Sequence, residues 1–218
     1  MSLAHFLLAF LLCVPASADE PNAAQVASRV DRFYNGLASL KADFSQSYRG
    51  GGMQRSESGT LWLKQPGKMR WEYRQPTTKF FVSDGHTAWF YAPGDQQARK
   101  APLKKLDDLR TPLRYLLGKT RLQKEFDGLS LAPDQKPVDP GNVVLRGVPK
   151  AMNDRISQVL LEINQNNQIV RIVIEEVDGA MTEFRFSNLQ PNAVAADNLF
   201  RSPVPPGVTV IETGDVGP

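Results

Sequence analysis

Residues 59–93 read G-T-L-W-L-K-Q-P-G-K-M-R-W-E-Y-R-Q-P-T-T-K-F-F-V-S-D-G-H-T-A-W-F-Y-A-P, and this stretch decides the fold. It holds all three tryptophans of the chain, Trp62, Trp71 and Trp89, together with several Phe and Tyr residues. Pro and Gly residues divide it into short aromatic segments, which is typical of β-strands joined by turns. A sheet this rich in aromatic residues must cover something large and apolar.

Side chains alternate in character along the first two runs of this stretch. The apolar Leu61 and Leu63 are separated by Trp62 and followed by Lys64. The next run repeats the pattern, with one set of Met69, Trp71 and Tyr73 and an opposing set of Arg70, Glu72 and Arg74. Because successive side chains of a strand point to opposite faces, the pattern predicts a sheet with one apolar and one charged face.

The preceding residues predict a helix and then a hairpin. Apolar residues recur at steps of three and four over 23–40, which is typical of an amphipathic helix; they are Val26, Val30, Phe33, Leu37 and Leu40. Residues 41–48 alternate as a half-buried strand does. Residues 50–52 are all glycine and supply the positive φ that a hairpin turn needs.

The rest of the chain changes period and then returns to strands. Leucines over 103–118, with Thr111 as N-cap and Pro112 at the first helical position, predict short helices that end at Gly118. A loop follows at 133–141, and strand patterns return over 143–147, 156–163, 169–177 and 181–187. Tight turns between strands favour antiparallel pairing. The predicted fold is α+β, an unclosed antiparallel β-barrel (a curved sheet) with helices as a lid over an apolar cavity.

The N-terminal residues are typical of a secretory signal peptide. The apolar run 3–12 is too short to span a bilayer, and Ala16, Ser17 and Ala18 match a cleavage site. We expect residues 1–18 to be the signal and residues 19–218 to form a single domain. The only cysteine, Cys13, leaves with this signal, and the bulky Leu12 before it argues against a lipidated cysteine.

Charge gives a weak indication of partners. The chain has 26 Lys and Arg against 23 Asp and Glu, a formal net charge of +3, which is too small to indicate nucleic acid. Basic residues concentrate over 99–124, where they outnumber Asp107 and Asp108. A solvated helix surface accounts for this segment, and the functional alternative is a surface that faces anionic lipid or an acidic partner.

Residues 19–218 lack the usual groups of an enzyme site. Their only histidine is His86 and they contain no cysteine, which excludes Cys-His catalysis and most zinc sites. No G-x-S-x-G motif accompanies His86. Gly118, Lys119 and Thr120 end like a phosphate loop, but Leu113 occupies the place of its first glycine. We therefore expect no catalytic residue, no metal and no cofactor.

Four motifs carry a resemblance to a known family. They are K-Q-P-G-K-M-R-W-E-Y at 64–73, F-V-S-D-G-H-T-A-W-F-Y-A-P at 81–93, T-P-L-R-Y-L-L at 111–117 and F-R-S-P-V-P-P-G-V-T-V-I at 200–211. In order and spacing they resemble the periplasmic outer-membrane lipoprotein carrier protein family (LolA), from the first helix to Val210. The family's fold is an unclosed antiparallel barrel with a helical lid, which the periodicity predicts independently.

The resemblance implies a function and partners. Members of the family accept acylated lipoproteins from an inner-membrane lipoprotein-releasing ABC transporter and deliver them to an outer-membrane lipoprotein receptor. We therefore expect a soluble periplasmic carrier that acts as a monomer and is not an enzyme. The alternative is a periplasmic lipid- or lipoprotein-binding sensor, or an anchored receptor, of the same fold. A lipid esterase would rest on His86 alone.

The resemblance also implies the residues of a lipid site. The implied ligand-binding positions are apolar: Val30, Leu61, Leu63, Met69, Trp71, Phe81 and Leu113. Phe80 is also apolar, so alternation alone does not decide between it and Phe81. Plain core packing is the alternative for each position. Gln65 stands where the family often has an arginine linked to closing of the empty lid, so we expect Gln65 to control the lid through weaker hydrogen bonds.

Overall fold

The computed structural model describes residues 22–103, 116 and 121–213. Helix α1 (Ala23–Asn35) begins at Asn22, whose side chain accepts the Gln25 backbone N–H, while the Gln25 side chain accepts the Asn22 N–H. This reciprocal cap satisfies N–H groups that a helix leaves unpaired at its start. The helix is shorter than the predicted 23–40, because it is capped at Gly36 and the chain then enters the sheet.

Twelve strands make up most of the described structure. Their bounds are β1 (Ser39–Gly50), β2 (Met53–Lys64), β3 (Lys68–Gln75), β4 (Lys79–Asp84), β5 (Thr87–Tyr91), β6 (Gln97–Pro102), β7 (Phe126–Leu131), β8 (Val143–Pro149), β9 (Ile156–Ile163), β10 (Ile169–Glu176), β11 (Met181–Pro191) and β12 (Thr209–Glu212). The short helix α2 (Leu122–Glu125) precedes β7, and 3₁₀ turns occupy Lys150–Met152 and Asp197–Phe200. The predicted signal peptide lies outside the described residues, and so does the predicted helical segment 103–118 except for Leu103 and Leu116.

All the strands belong to one open sheet. Their order is β12-β6-β5-β4-β3-β2-β1-β11-β10-β9-β8-β7, so β12 and β7 are its two edges. The pairs are antiparallel except β12 with β6, which is parallel. The predicted unclosed antiparallel architecture is confirmed, and the parallel edge strand is an addition that the sequence patterns did not predict.

Each strand presents alternate residues to the two faces of the sheet. We call the face covered by α1 the inner face and the opposite one the outer face. The main apolar cluster joins α1, both halves of the sheet and α2, and it includes Tyr34, Phe44, Trp71, Phe126 and Leu161. Residues from β3 and from the edge strand β7 share this cluster, so the sheet curves around α1 as predicted.

Glycines allow two sharp features of the first strands. Gly51 and Gly52 have φ of 56° and 75° and make the β1–β2 turn that the sequence predicts. At Gly59 the backbones of β2 and β3 come close, and an added Cβ would lie 1.9 Å from the Glu72 carbonyl oxygen. Only glycine fits this approach, because any side chain would clash with backbone.

The outer face carries a smaller apolar cluster and the C-terminal segment. Val144, Leu160 and Val173 pack together there.

Within the described residues, no helix is long and apolar enough to cross a membrane.

Candidate functional site

The inner face and the facing side of α1 bring together six of the seven predicted ligand-binding residues. Each is buried, with an exposed fraction of 5 % or less, and all six belong to the main apolar cluster. They are Val30 on α1, Leu61 and Leu63 on β2, Met69 and Trp71 on β3, and Phe81 on β4. Leu113 lies outside the described residues. Lipid contact at any of these positions stays a prediction.

The register of β3 and β4 decides between the adjacent phenylalanines. Phe81 pairs with Trp71 and therefore shares its inner face. Phe80 pairs with Glu72 and faces outward, where the Arg70 guanidinium lies 4.8 Å from its ring centroid.

Four rings line the middle of the inner face, and we call them the aromatic group: Phe44, Trp71, Phe184 and Phe186. Ring centroids of Phe44 and Trp71 are 4.7 Å apart, and those of Trp71 and Phe184 are 5.8 Å apart, both edge to face. Such pairs contribute about 0.5–1.5 kcal/mol beyond the area that they bury. Trp71 is therefore held from several sides by residues of β1 and β11.

Among the described residues, the side chains beside the C-terminal end of α1 leave little free space. A cavity of about 10 Å³ lies beside Leu37, Leu63, Gln65 and Leu116, which is about the size of one water molecule. The six predicted ligand-binding residues belong to one apolar cluster, with Val30 on α1 and the other five on β2, β3 and β4. Among the described elements, α1 shares this apolar cluster with them.

Tyr34 joins α1 to both halves of the sheet. Its hydroxyl accepts the Ile169 backbone N–H at 3.0 Å, at the start of β10. Its carbonyl oxygen accepts the Gln65 side-chain N–H at 3.3 Å, at the end of β2. Burial raises the pKa of Tyr34, so its hydroxyl stays neutral. The sequence analysis missed this residue, although it follows Val30 by four positions on the same helix face.

Gln65 lies in the turn after β2, beside the C-terminal end of α1. Besides its side-chain bond to Tyr34, its backbone N–H donates to the Ala38 carbonyl at 3.0 Å. The turn after β2 is thereby fixed to the end of α1. The expected donation to a carbonyl of the covering helix is present, and its effect on opening stays a prediction.

Two further polar contacts hold the other side of α1. The Arg29 Nε donates to the Asn167 side chain at 3.1 Å, at the β9–β10 turn. The Leu122 backbone N–H lies 3.1 and 3.2 Å from the two carboxylate oxygens of Asp31. Such bonds each contribute about 0.5–1.5 kcal/mol, or more where a charge takes part. The described polar contacts of α1 thus reach both halves of the sheet.

Outward-facing basic side chains of β2 and β3 hold the C-terminal segment on the outer face, and Asp197 accepts from two of them. The Asp197 Oδ1 lies 2.8 Å from Lys64 Nζ and 3.0 Å from Lys68 Nζ. Hydrogen bonds from these two ammonium groups lower the pKa of Asp197 to about 2. Lys64 also donates to the Ala195 carbonyl at 2.8 Å. The outward residues of β2 and β3 therefore hold the segment that leads to β12.

A polar groove of about 390 Å³ lies between Ser45, Ser47, Ser58, Glu183 and Arg185. Burial raises the pKa of Glu183, but hydrogen bonds from Arg171 and Arg185 outweigh it and leave the pKa below its ordinary value. The Glu183 carboxylate is thus already paired, and Glu57 also lines the groove. Polar side chains line the groove, so it does not suit an acyl chain.

The described residues give no support to a catalytic site. His86 is exposed, and its backbone N–H donates to the Asp84 side chain in an ordinary turn. Within residues 22–103, 116 and 121–213, no group of three His, Cys, Asp or Glu side chains could hold a metal ion.

Comparisons with known proteins agree with this architecture. The structure is similar to LprF from Mycobacterium bovis, with a TM-score of 0.50, 16 % identity, and coverage of 84 % of this chain and 97 % of that one. It is also similar to an uncharacterized conserved protein from Thermus thermophilus, with a TM-score of 0.52 and 14 % identity. The match covers 88 % of this chain and 99 % of that one. These likenesses establish the fold, a curved half-barrel closed by a helix.

Sequence comparison then gives the family. Residues 35–203 match the family described as outer membrane lipoprotein carrier protein LolA. The chain is 29 % identical to the outer-membrane lipoprotein carrier protein of Chromobacterium violaceum, covering 93 % of this chain and 94 % of that protein. It is 30 % identical to the outer-membrane lipoprotein carrier protein of Bordetella pertussis, covering 97 % of this chain and 95 % of that protein. The chain belongs to the outer membrane lipoprotein carrier protein (LolA) family, as its motifs predict.

Proposed function

We propose that this protein carries lipoproteins through the periplasm by enclosing their acyl chains between α1 and the inner face. The observation that carries the proposal is the buried aromatic interior beside α1, in a chain of the lipoprotein carrier family. The role needs no bond making or breaking. It is a binding function rather than a catalytic one.

The physics of acyl chains explains why a carrier is needed. Each CH₂ group moved from a membrane into water costs about 0.8 kcal/mol, so the chains of one lipoprotein cost on the order of tens of kcal/mol. Unassisted transfer between two membranes is therefore negligible. A carrier that replaces water by Leu61, Trp71 and Phe81 removes most of this cost.

Loading would require α1 to leave the inner face. The polar contacts of Tyr34, Arg29 and Asp31 would break, and the apolar side chains that α1 buries would be replaced by acyl chains. Gln65 would control this step, because its side-chain bond to the Tyr34 carbonyl holds the C-terminal end of the helix.

The partners follow from the same role. We propose that an inner-membrane lipoprotein-releasing ABC transporter loads the protein and that an outer-membrane lipoprotein receptor unloads it. The carrier would act as a monomer, and its secretion would follow from the signal peptide predicted at residues 1–18.

A quenching experiment tests the site directly. Residues 19–218 contain no cysteine, so a fluorophore can be attached at Ala88→Cys or at Ser45→Cys. Ala88 is buried on the inner face, whereas Ser45 is exposed on the outer face. A synthetic lipopeptide with a nitroxide in its acyl chain should quench the label at position 88 and leave the label at position 45 unchanged.

The outcomes separate the possibilities. Quenching at neither position, with both labelled variants folded, would contradict the carrier function. Equal quenching at both would mean nonspecific surface binding.

Mass spectrometry of the protein purified from the periplasm should also find acylated lipoprotein bound to it.

A further inference from the structure

Ala38 lies in the short junction between α1 and β1, and both of its backbone polar groups are hydrogen-bonded. Its N–H donates to the side-chain oxygen of Asn192 at 3.0 Å. Its carbonyl oxygen accepts the Gln65 backbone N–H at 3.0 Å. Two separate parts of the chain thus fix the point at which the helix joins the sheet.

Asn192 begins the C-terminal segment, residues 192–213, directly after β11. Its backbone N–H donates to the Ser39 carbonyl at 2.7 Å, and the Ser39 hydroxyl donates to the Ala193 carbonyl at 2.5 Å. The φ of Asn192 is 56°, a left-handed conformation that Asn tolerates better than most residues. The first residues of the segment are therefore bonded closely to the junction.

The same segment is attached further along to the outer face. Lys64 Nζ donates to the Ala195 carbonyl and to the Asp197 carboxylate, both at 2.8 Å. Phe200 is 1 % exposed and anchors its 3₁₀ turn, which packs against β3 and β4. The segment therefore connects the outer face of the sheet with the end of the helix on the inner face.

The junction is where a movement of α1 has to be accommodated. The helix ends at Asn35, and β1 is paired with β2 from Ser39 onward and with β11 from the next residue. Because β1 is held in the middle of the sheet, residues 36–38 must absorb the change in φ and ψ when α1 leaves, as hinges do. Rotation at Ala38 turns its N–H away from the Asn192 side chain, so this bond stabilises the closed position.

We propose that the C-terminal segment acts as a strap that holds α1 closed through Asn192. While the segment lies on the outer face, the Asn192 side chain fixes the junction; when the segment lifts, Asn192 moves with it and α1 is released. Residues of the outer face thereby control opening on the inner face. The inference rests on the proposed carrier function for the purpose of this opening, and its test needs no lipid.

Amide hydrogen exchange measures the opening. Where closing is faster than chemical exchange, the rate over 26–35 reports the release of α1, and the slower rate over 156–163 in β9 reports global unfolding. Asn192→Gly keeps the left-handed backbone and removes the acceptor. We expect α1 to exchange about 2- to 13-fold faster in this variant, the factor that one hydrogen bond supplies.

Two further variants serve as controls. Asn192→Asp retains an acceptor oxygen and should exchange as wild type does. Asn188 also has a left-handed φ, 50°, and its side chain donates to Asp43 within the sheet. Because that bond persists when α1 opens, Asn188→Gly should leave the opening of α1 unchanged even where β9 exchanges faster.

Asp197→Asn tests whether the outer face takes part. It weakens the attachment to Lys64, so α1 should exchange faster, by no more than in Asn192→Gly. Added to Asn192→Gly it should have no further effect on α1, because the link is already broken. Faster exchange over 195–200 with α1 unchanged, or additive effects of the two changes, would overturn the strap.

The remaining outcomes separate this inference from the function on which it rests. If Asn192→Gly lowers the global stability but leaves the local opening of α1 unchanged, the strap is wrong and the carrier function stands. If wild-type α1 exchanges only as slowly as β9, the helix does not open in the native protein. That result would contradict both the strap and the proposed loading step.

Discussion

The hydroxyl of Tyr34 gives the sharpest test of whether α1 moves. Tyr34→Phe keeps the ring and removes only the acceptor of the Ile169 N–H. Both residues are 0 % exposed, so the N–H stays buried and unpaired while the helix is in place. Such a group costs about 1–3 kcal/mol. We expect the free energy of unfolding to fall by that amount.

The same change should favour loading. Once α1 has left the sheet, water reaches the Ile169 N–H, so the cost falls on the closed state alone. The ratio of open to closed protein should rise by about 5- to 140-fold. Because the closed form predominates, the apparent dissociation constant for an acyl chain should fall in the same proportion.

The assay combines denaturant unfolding with titration of a fluorescent acyl probe. Tyr91→Phe is the control, since Tyr91 is buried on the outer face, on the opposite side of the sheet from α1. If Tyr34→Phe loses stability while its affinity and rate of uptake match wild type, then loading does not require α1 to move. If stability is also unchanged, the hydrogen bond has no energetic importance.

Three further changes test other contacts. Gln65→Arg should slow acyl uptake about fivefold, because a charged donor to the Tyr34 carbonyl is stronger than the neutral one by about 1 kcal/mol; equal or faster uptake at equal stability would mean that position 65 does not control opening. Trp71→Ala should cost about 3–5 kcal/mol of unfolding free energy, since it empties the centre of the aromatic group, and a cost below about 1 kcal/mol in denaturant unfolding would show that this face is loosely packed. The Asp197 pKa is lowered to about 2 from an ordinary value near 4, so its attachment of the C-terminal segment should be present above about pH 4 and be lost as the pH falls through 2. Hydrogen exchange over 195–200 should detect this loss, and Asp197→Asn should exchange quickly at every pH.

Strand periodicity predicted the inner face correctly where one face alone is buried. The alternation over 61–74 placed Leu61, Met69 and Trp71 together, because a shift of one residue would expose the whole set. The same logic could not choose between Phe80 and Phe81, since both are aromatic. Only their pairing with β3 separates them.

Other features lacked any sequence signal. All four residues of strand β12 are exposed, and the strand pairs parallel with β6. It therefore lacks the alternation of apolar and polar residues from which a half-buried strand is predicted. The Glu57–Lys79 ion pair joins two strands that are not adjacent, and its existence depends on the curvature and register of β2, β3 and β4. In the sequence, a polar residue at an inward-facing strand position only breaks the apolar alternation. Its partner on another strand is known only from the fold.

The packing of α1 on the inner face also bears on how the proposed carrier would release its load. In the empty protein α1 buries Val26, Val30 and Tyr34 against the sheet, and each buried side chain of this kind contributes about 1.5–3 kcal/mol. In the proposed function an acyl chain displaces this helix, so the binding free energy is the gain from burying the chain minus the loss from exposing α1. The helix and the acyl chain would thus compete for the same apolar surface, the inner face of the sheet. Its return to the inner face would favour release to a receptor without any nucleotide, and the contacts of Tyr34 and Gln65 would set how strongly it competes.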